Sequence, residues 1–186
     1  MTVLSAFWLP ILLSAVAVFI VSSIIHMVLP WHKSDYPKVP NEEAVRSALG
    51  PLSILPGDYM VPRPSGRDEM KSAEFAEKVR VGPNVIMTVL PNGPWSMSRN
   101  LILWFLYLVV VGILVAALAG SALPRIPEHH EIIHFITVAA FMGYAVALWQ
   151  NSIWYRRAWS FTIKATVDAV IYGFVTAMIF AWLWPQ

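Results

Sequence analysis

Four long apolar runs divide the chain. The first extends from about Leu4 to Leu29 and stops at Pro30, and the second from Leu101 to Leu123, stopping at Pro124. The third begins near Ile132 and reaches Trp149, with Gln150 and Asn151 at its end; the fourth runs from about Phe161 to Trp184, before Pro185. A helix of about 20 residues, rising 1.5 Å per residue, crosses the hydrocarbon of a bilayer. Each run meets that length, so the pattern predicts four transmembrane helices. The first has no basic residue before it and a core longer than the apolar region of a signal peptide, so it is expected to remain as an uncleaved anchor.

Small residues recur every four positions in three of these runs: Gly112, Ala116 and Gly120; Ala139, Gly143 and Ala147; and Ala165, Ala169, Gly173, Ala177 and Ala181. Such stripes let helix backbones approach where lipid supplies no hydrophobic drive. They predict a three-helix bundle over 101–186, with helix 1 in 1–30. The polar segment 31–100 reads as a small α+β cap. Asn41 caps a helix whose first turn holds Glu42 and Glu43 and which ends at Gly50. A second helix is predicted over about Asp68 to Arg80, capped by Ser65, with extended runs at Asp58–Val61 and Asn84–Leu90. So few large apolar side chains cannot bury much core. The cap is expected to lean on the membrane face, with Trp31, Tyr36 and Trp95 at headgroup level.

Composition sharpens this picture. Residues of the AVILMFWYC set make up 58% and charged residues 13%, with a mean hydropathy of +0.61. A water-soluble domain carries about 25% charged residues, so a cytosolic globular enzyme is excluded. The net charge of +2 and pI near 9.0 fit membrane orientation and contact with anionic lipid rather than nucleic acid. The chain has no cysteine, which excludes disulfides, thiolate metal sites and cysteine nucleophiles. Of 13 Lys and Arg, only Arg125 falls between the second and third runs; Arg156, Arg157 and Lys164 lie between the third and fourth, and the rest lie between the first and second. The positive-inside bias then puts segment 31–100 in the cytoplasm and both termini outside.

Two places carry candidate chemistry. His130-Glu131-Ile132-Ile133-His134 matches H-E-x-x-H, in which two histidines on one helix face bind zinc and the glutamate polarises its water. A catalytic zinc needs a third protein ligand. Glu128 and His129 are off that face, while His26, His32 and Asp168 lie towards the opposite side of the membrane. A helix N-terminus whose acids suit its dipole is the simpler reading, so no cofactor is expected, zinc being the exception if this run is a metal site. The second place is an intramembrane polar cluster around Asp168, with Lys164 four residues before it on the same face. His26, Arg99, Asn100, Tyr107, Gln150 and Asn151 come to the same level. A carboxylate in the bilayer costs a few kcal/mol unless paired. Pairing of Asp168 with Lys164, Arg99 or an amide is expected, and a proton or ion relay is the functional alternative. There is no phosphate-binding glycine loop and no serine triad context. The aromatic residues suit interfacial belts.

Leu29-Pro30-Trp31-His32-Lys33-Ser34-Asp35-Tyr36, together with Pro56-Gly57-Asp58-Tyr59-Met60, Gln150-Asn151-Ser152-Ile153-Trp154 and the closing Trp182-Leu183-Trp184-Pro185, resembles the signature of small uncharacterised bacterial inner-membrane proteins. The resemblance covers most of the chain and implies a four-span inner-membrane protein without an attached activity. The expectation is therefore an all-α membrane protein with a small cytoplasmic α+β cap, acting as a non-enzymatic accessory, scaffold or assembly subunit. Its expected partners are the lipid bilayer and other membrane subunits or itself. A membrane zinc metalloprotease and a small proton- or ion-coupled transport element are the alternatives. A reporter fused to the C-terminus tests the orientation: activity outside the cytoplasm is expected, and a cytoplasmic signal overturns it.

Overall fold

The structure, a computed structural model, describes residues 3–185; Met1, Thr2 and Gln186, at the ends of the expected first and last segments, lie outside the described residues. In chain order the helices and strands are α1 (Val3–Ser23), α2 (Glu42–Leu49), β1 (Gly57–Val61), α3 (Arg67–Met70), α4 (Ala73–Val81), β2 (Val85–Val89), α5 (Met97–Ala122), α6 (His129–Tyr144), α7 (Trp149–Tyr155) and α8 (Trp159–Trp182). Four stretches are long and apolar enough to cross a membrane: 5–28, 97–122, 129–155 and 159–182. The chain divides into two compact units, 1–37 with 96–186, and 38–95.

The first unit is a four-helix bundle. α1 packs against α5 and α8, and α6 packs against α8 and α5. The first helix therefore belongs to the same compact unit as the three that the small-residue stripes had grouped. Its inward face, Phe7, Ile11, Ala15 and Val18, follows helical spacing and meets Leu108, Val111, Val115, Ile136 and Phe180 in one core. The outward faces are as apolar as the core: Trp8, Leu12, Val16 and Ile20 on α1, and Phe174 and Met178 on α8, are all exposed. Because apolar residues line both faces, van der Waals fit, and not polarity, decides which face packs. Three glycines mark the close approaches. A Cβ on Gly112 would meet Ile11 at 3.2 Å, one on Gly143 would meet Val111 at 3.2 Å, and one on Gly173 would meet the Thr137 carbonyl oxygen at 2.9 Å. Gly120 and Ala147 are exposed, and Ala147 falls in the turn after α6.

Two of the spans are irregular. α1 passes into a π turn at Ile24–Val28, closed by the Leu29 N–H on the Ile24 carbonyl at 3.1 Å. The third span, expected to be continuous, breaks after Tyr144. A 3₁₀ turn over Val146–Leu148 joins α6 to α7, which ends where Arg156 adopts φ +57° and the Arg157 N–H reaches the Asn151 carbonyl at 3.1 Å.

In the second unit, β1 and β2 pair antiparallel with Tyr59 opposite Met87, and Thr88 donates to Asp58 at 2.6 Å. Asn41 caps α2 as expected, accepting from the Ala44 N–H at 3.0 Å. Gly50 stays right-handed at φ −54° and the turn runs on through Leu52, so that Ser53, at φ +47°, makes the left-handed exit. The single helix expected over 68–80 is two helices, because Ser72 accepts from the Phe75 N–H at 3.1 Å and starts a new one. Ser65 is not the cap: its N–H instead donates to the Glu69 carboxylate at 2.6 Å. No described residue of this unit is buried.

The bundle's tightest contact generates a test. Gly173→Ala forces a methyl against the α6 backbone and is expected to destabilise the bundle by about 1–3 kcal/mol. Gly50→Ala, with nothing within 4 Å and a helical φ, is expected to leave the bundle transition unchanged in detergent melts.

Candidate functional site

The polar centre of the bundle lies where the chain leaves α1. After the π turn, Pro30 opens a single 3₁₀ turn, Pro30–His32, its ring pre-set to the φ that a helix start requires. The Lys33 N–H closes on Pro30 and the Asp35 N–H on the His32 carbonyl, at 3.2 and 3.1 Å. This tight winding brings the His32 and Asp35 side chains to one side, three residues apart, and against the first two turns of α8.

There they form a chain of hydrogen bonds. His32 Nδ1 lies 2.6 Å from Asp35 Oδ2, and His32 Nε2 lies 2.8 Å from Asp168 Oδ2. Lys164 Nζ donates to Asp35 Oδ1 at 2.7 Å and to Ser34 Oγ at 2.9 Å, with the Trp31 ring 5.9 Å from its nitrogen. Just before α8, Arg157 donates to the Tyr36 hydroxyl at 2.8 Å and lies 3.5 Å from the Phe161 ring centroid. The segment after α1 is thus bound both to α8 and to the residues that lead into it. Burial opposes ionisation of Asp35, but hydrogen bonds from Lys164 and His32, and their charges, outweigh it and hold the carboxyl below its usual range.

His26 completes the cluster. The π turn places its ring over that of His32, with centroids 4.2 Å apart and planes within 10°. Its Nδ1 lies 3.1 Å from the Ser22 carbonyl, and Ser22 Oγ accepts from the Trp104 indole at 2.9 Å. One nitrogen of each histidine and an Asp168 oxygen lie within 4.8 Å of one another, the one such group of three among the described residues. Tyr172, one turn beyond Asp168, is buried among the rings of Trp104 and Tyr144, and its hydroxyl has no partner among the described residues.

Of the residues expected in this cluster, Asp168, Lys164 and His26 come together. Lys164 does not pair with Asp168, as its spacing suggested, because the folded-back segment offers it Asp35 and gives His32 to Asp168. Asn100 is exposed in the first turn of α5, and Asn151 contributes only its backbone carbonyl to the end of α7. Tyr107 donates to the Gly143 carbonyl at 2.6 Å. At the other end of the bundle, His130, Glu131 and His134 are all exposed. The Glu131 carboxylate accepts from the Glu128 N–H at 2.9 Å, which caps α6, and His130 faces Glu128 at 3.2 Å. No third ligand joins the two histidines among the described residues. His32 and Asp35 are the residues sequence reasoning left out of the cluster; their spacing of three, behind a proline, was the signal.

The fold and site define a four-helix bundle of membrane-spanning length with a partly buried carboxylate–histidine–carboxylate chain at one end. The chain matches no known protein family model, no curated protein and no solved structure.

His32→Ala leaves Asp168 buried without a partner and is expected to cost about 3–5 kcal/mol. Asn100→Ala and Asn151→Ala are expected to stay within about 0.5 kcal/mol of the native chain. Thermal unfolding in micelles compares the three.

Proposed function

We propose that this chain is a multi-pass protein of the bacterial inner membrane, with segment 31–100 cytoplasmic and both termini outside, and that it acts as a non-enzymatic accessory, scaffold or assembly subunit. The observation that carries the reading is the unit 38–95. It has formed strands and capped helices yet buries no residue, and it exposes Met60, Val61, Ile86 and Leu90. A unit of this size without a core of its own is held by whatever covers it. A subunit that docks onto other membrane components supplies such cover. The apolar outward faces of the bundle offer a second surface, suited to lipid or to neighbouring helices. The resemblance of the segment 29–36 to bacterial inner-membrane proteins supports the same placement.

A second reading is favoured by one specific feature: Asp35, His32 and Asp168 form a continuous hydrogen-bonded chain beside an irregular helix. Such chains pass protons in membrane carriers. In this reading the protein is a small proton- or ion-coupled transport element that uses Asp168.

Extraction from native membranes in a mild detergent, followed by sizing and mass spectrometry, separates the two. A stoichiometric partner protein is expected, and its loss on deletion of 38–95 would assign the docking surface. A homo-oligomer with nothing attached, whose proton flux in vesicles is abolished by Asp168→Asn, would replace the first reading by the second.

A further inference from the structure

We propose that His26, His32 and Asp168 form a binding site for a first-row divalent transition metal ion of the zinc class. The inference does not rest on the role proposed above. It starts from the two ring nitrogens of His32, each within hydrogen-bond distance of a carboxylate oxygen. A neutral imidazole has one N–H. Donated to Asp35, it leaves a lone pair on Nε2 facing the Asp168 oxygen at 2.8 Å. Two lone pairs at that distance repel, so the contact calls for something between them, either a shared proton or a cation bound by both atoms.

His26 decides between them. A proton needs only His32 and Asp168, whereas a metal uses a third donor. With its Nδ1 held by the Ser22 carbonyl, His26 keeps Nε2 as its free ligand atom. Both histidines thus have the tautomer that metal ligands receive from outside the coordination shell, one from a carboxylate and one from a backbone carbonyl. Those outer groups are themselves held: Asp35 by Lys164, and Ser22 by Trp104. The nearby lysine is spent on Asp35, so Asp168 has no cation other than the ion or a protonated ring.

Two imidazoles and one carboxylate are the donors of zinc and of related first-row ions, and not the oxygen shell of calcium or magnesium. Metal–ligand bonds of about 2.0–2.2 Å put ligand atoms roughly 3–3.5 Å apart. Reaching this from within 4.8 Å requires His26 to swing out of its stack on His32, which its exposed position allows. Three protein ligands leave a further position for water on that exposed side. The HEIIH run is a separate matter: its histidines are at the other end of the bundle and lack the third ligand.

The test uses the full chain in detergent, stripped with a chelator, reloaded with zinc alone, and read by elemental analysis and by the visible spectrum of the cobalt-substituted form. One ion per chain is expected. His26→Ala, a change at an exposed position, should weaken zinc binding at least tenfold with the elution volume unchanged. Asp35→Asn, which touches no metal, should weaken it about 10- to 100-fold. His130→Ala with His134→Ala should leave it unaltered. A wild-type chain that retains no zinc overturns the proposal. So does zinc held equally well by His26→Ala, or lost on replacing His130 and His134.

Discussion

Asp168 sits on a predominantly apolar helix with 3% of its surface exposed, and an ionised carboxylate there is tolerated only with partners. The neighbouring helices do not provide them. Asn100 on α5 and Asn151 on α7, the amides expected near it, direct no side-chain hydrogen bond to it. Its partner is His32, brought back by a turn that begins at Pro30 as the chain leaves α1. That requirement explains why the π turn and the 3₁₀ turn follow one another so closely: together they reverse the chain tightly enough to set His32 and Asp35 against α8. Lys164 then neutralises Asp35, and Arg157 fastens Tyr36. Asp168, His32, Asp35 and Lys164 form one connected set, so that removing an inner member strands another.

The remainder of the bundle is governed by shape. Lipid is as apolar as the core, and transfer from water does little to select a packed face once helices are inserted. Selection falls to the close approaches, Gly112 of α5 against Ile11, Gly143 of α6 against the Val111 side chain and Gly173 of α8 against the α6 backbone. The polar clamp and the small-residue contacts are complementary. The contacts let helices approach but tolerate sliding, while a buried network with fixed hydrogen-bond geometry allows one register.

Much of this was legible in the residues. Length and hydropathy located the four helical stretches long and apolar enough to cross a membrane, the third to Trp149 where it runs on to Tyr155, because a bilayer imposes a minimum length that no soluble helix needs to meet. Asn41 announced α2, since a side chain that satisfies a free N–H at a helix start acts locally. What was not legible depended on distant partners. Lys164 and Asp168, four apart on one face, read as a pair, and only the return of 31–36 makes each the partner of a different residue. The break at Ser72 lay beneath a continuous helical pattern, because a serine inside such a pattern reads as helix until its side chain is seen to capture the Phe75 N–H. The HEIIH run illustrates the converse. Its spacing fits a zinc motif, yet its glutamate is engaged in capping α6 and its histidines face outward.

The account holds that the segment after the first helix is locked to the last by a shared charge network. A double-mutant cycle on Asp35→Asn and Lys164→Met, measured by unfolding in a defined micelle, addresses this most directly. If the two groups are partners in a partly buried network, the double variant loses less stability than the sum of the singles, by about 0.5–3 kcal/mol. Additivity within about 0.3–0.5 kcal/mol would mean that the two side chains act independently, and the clamp would not be what holds the fold in register.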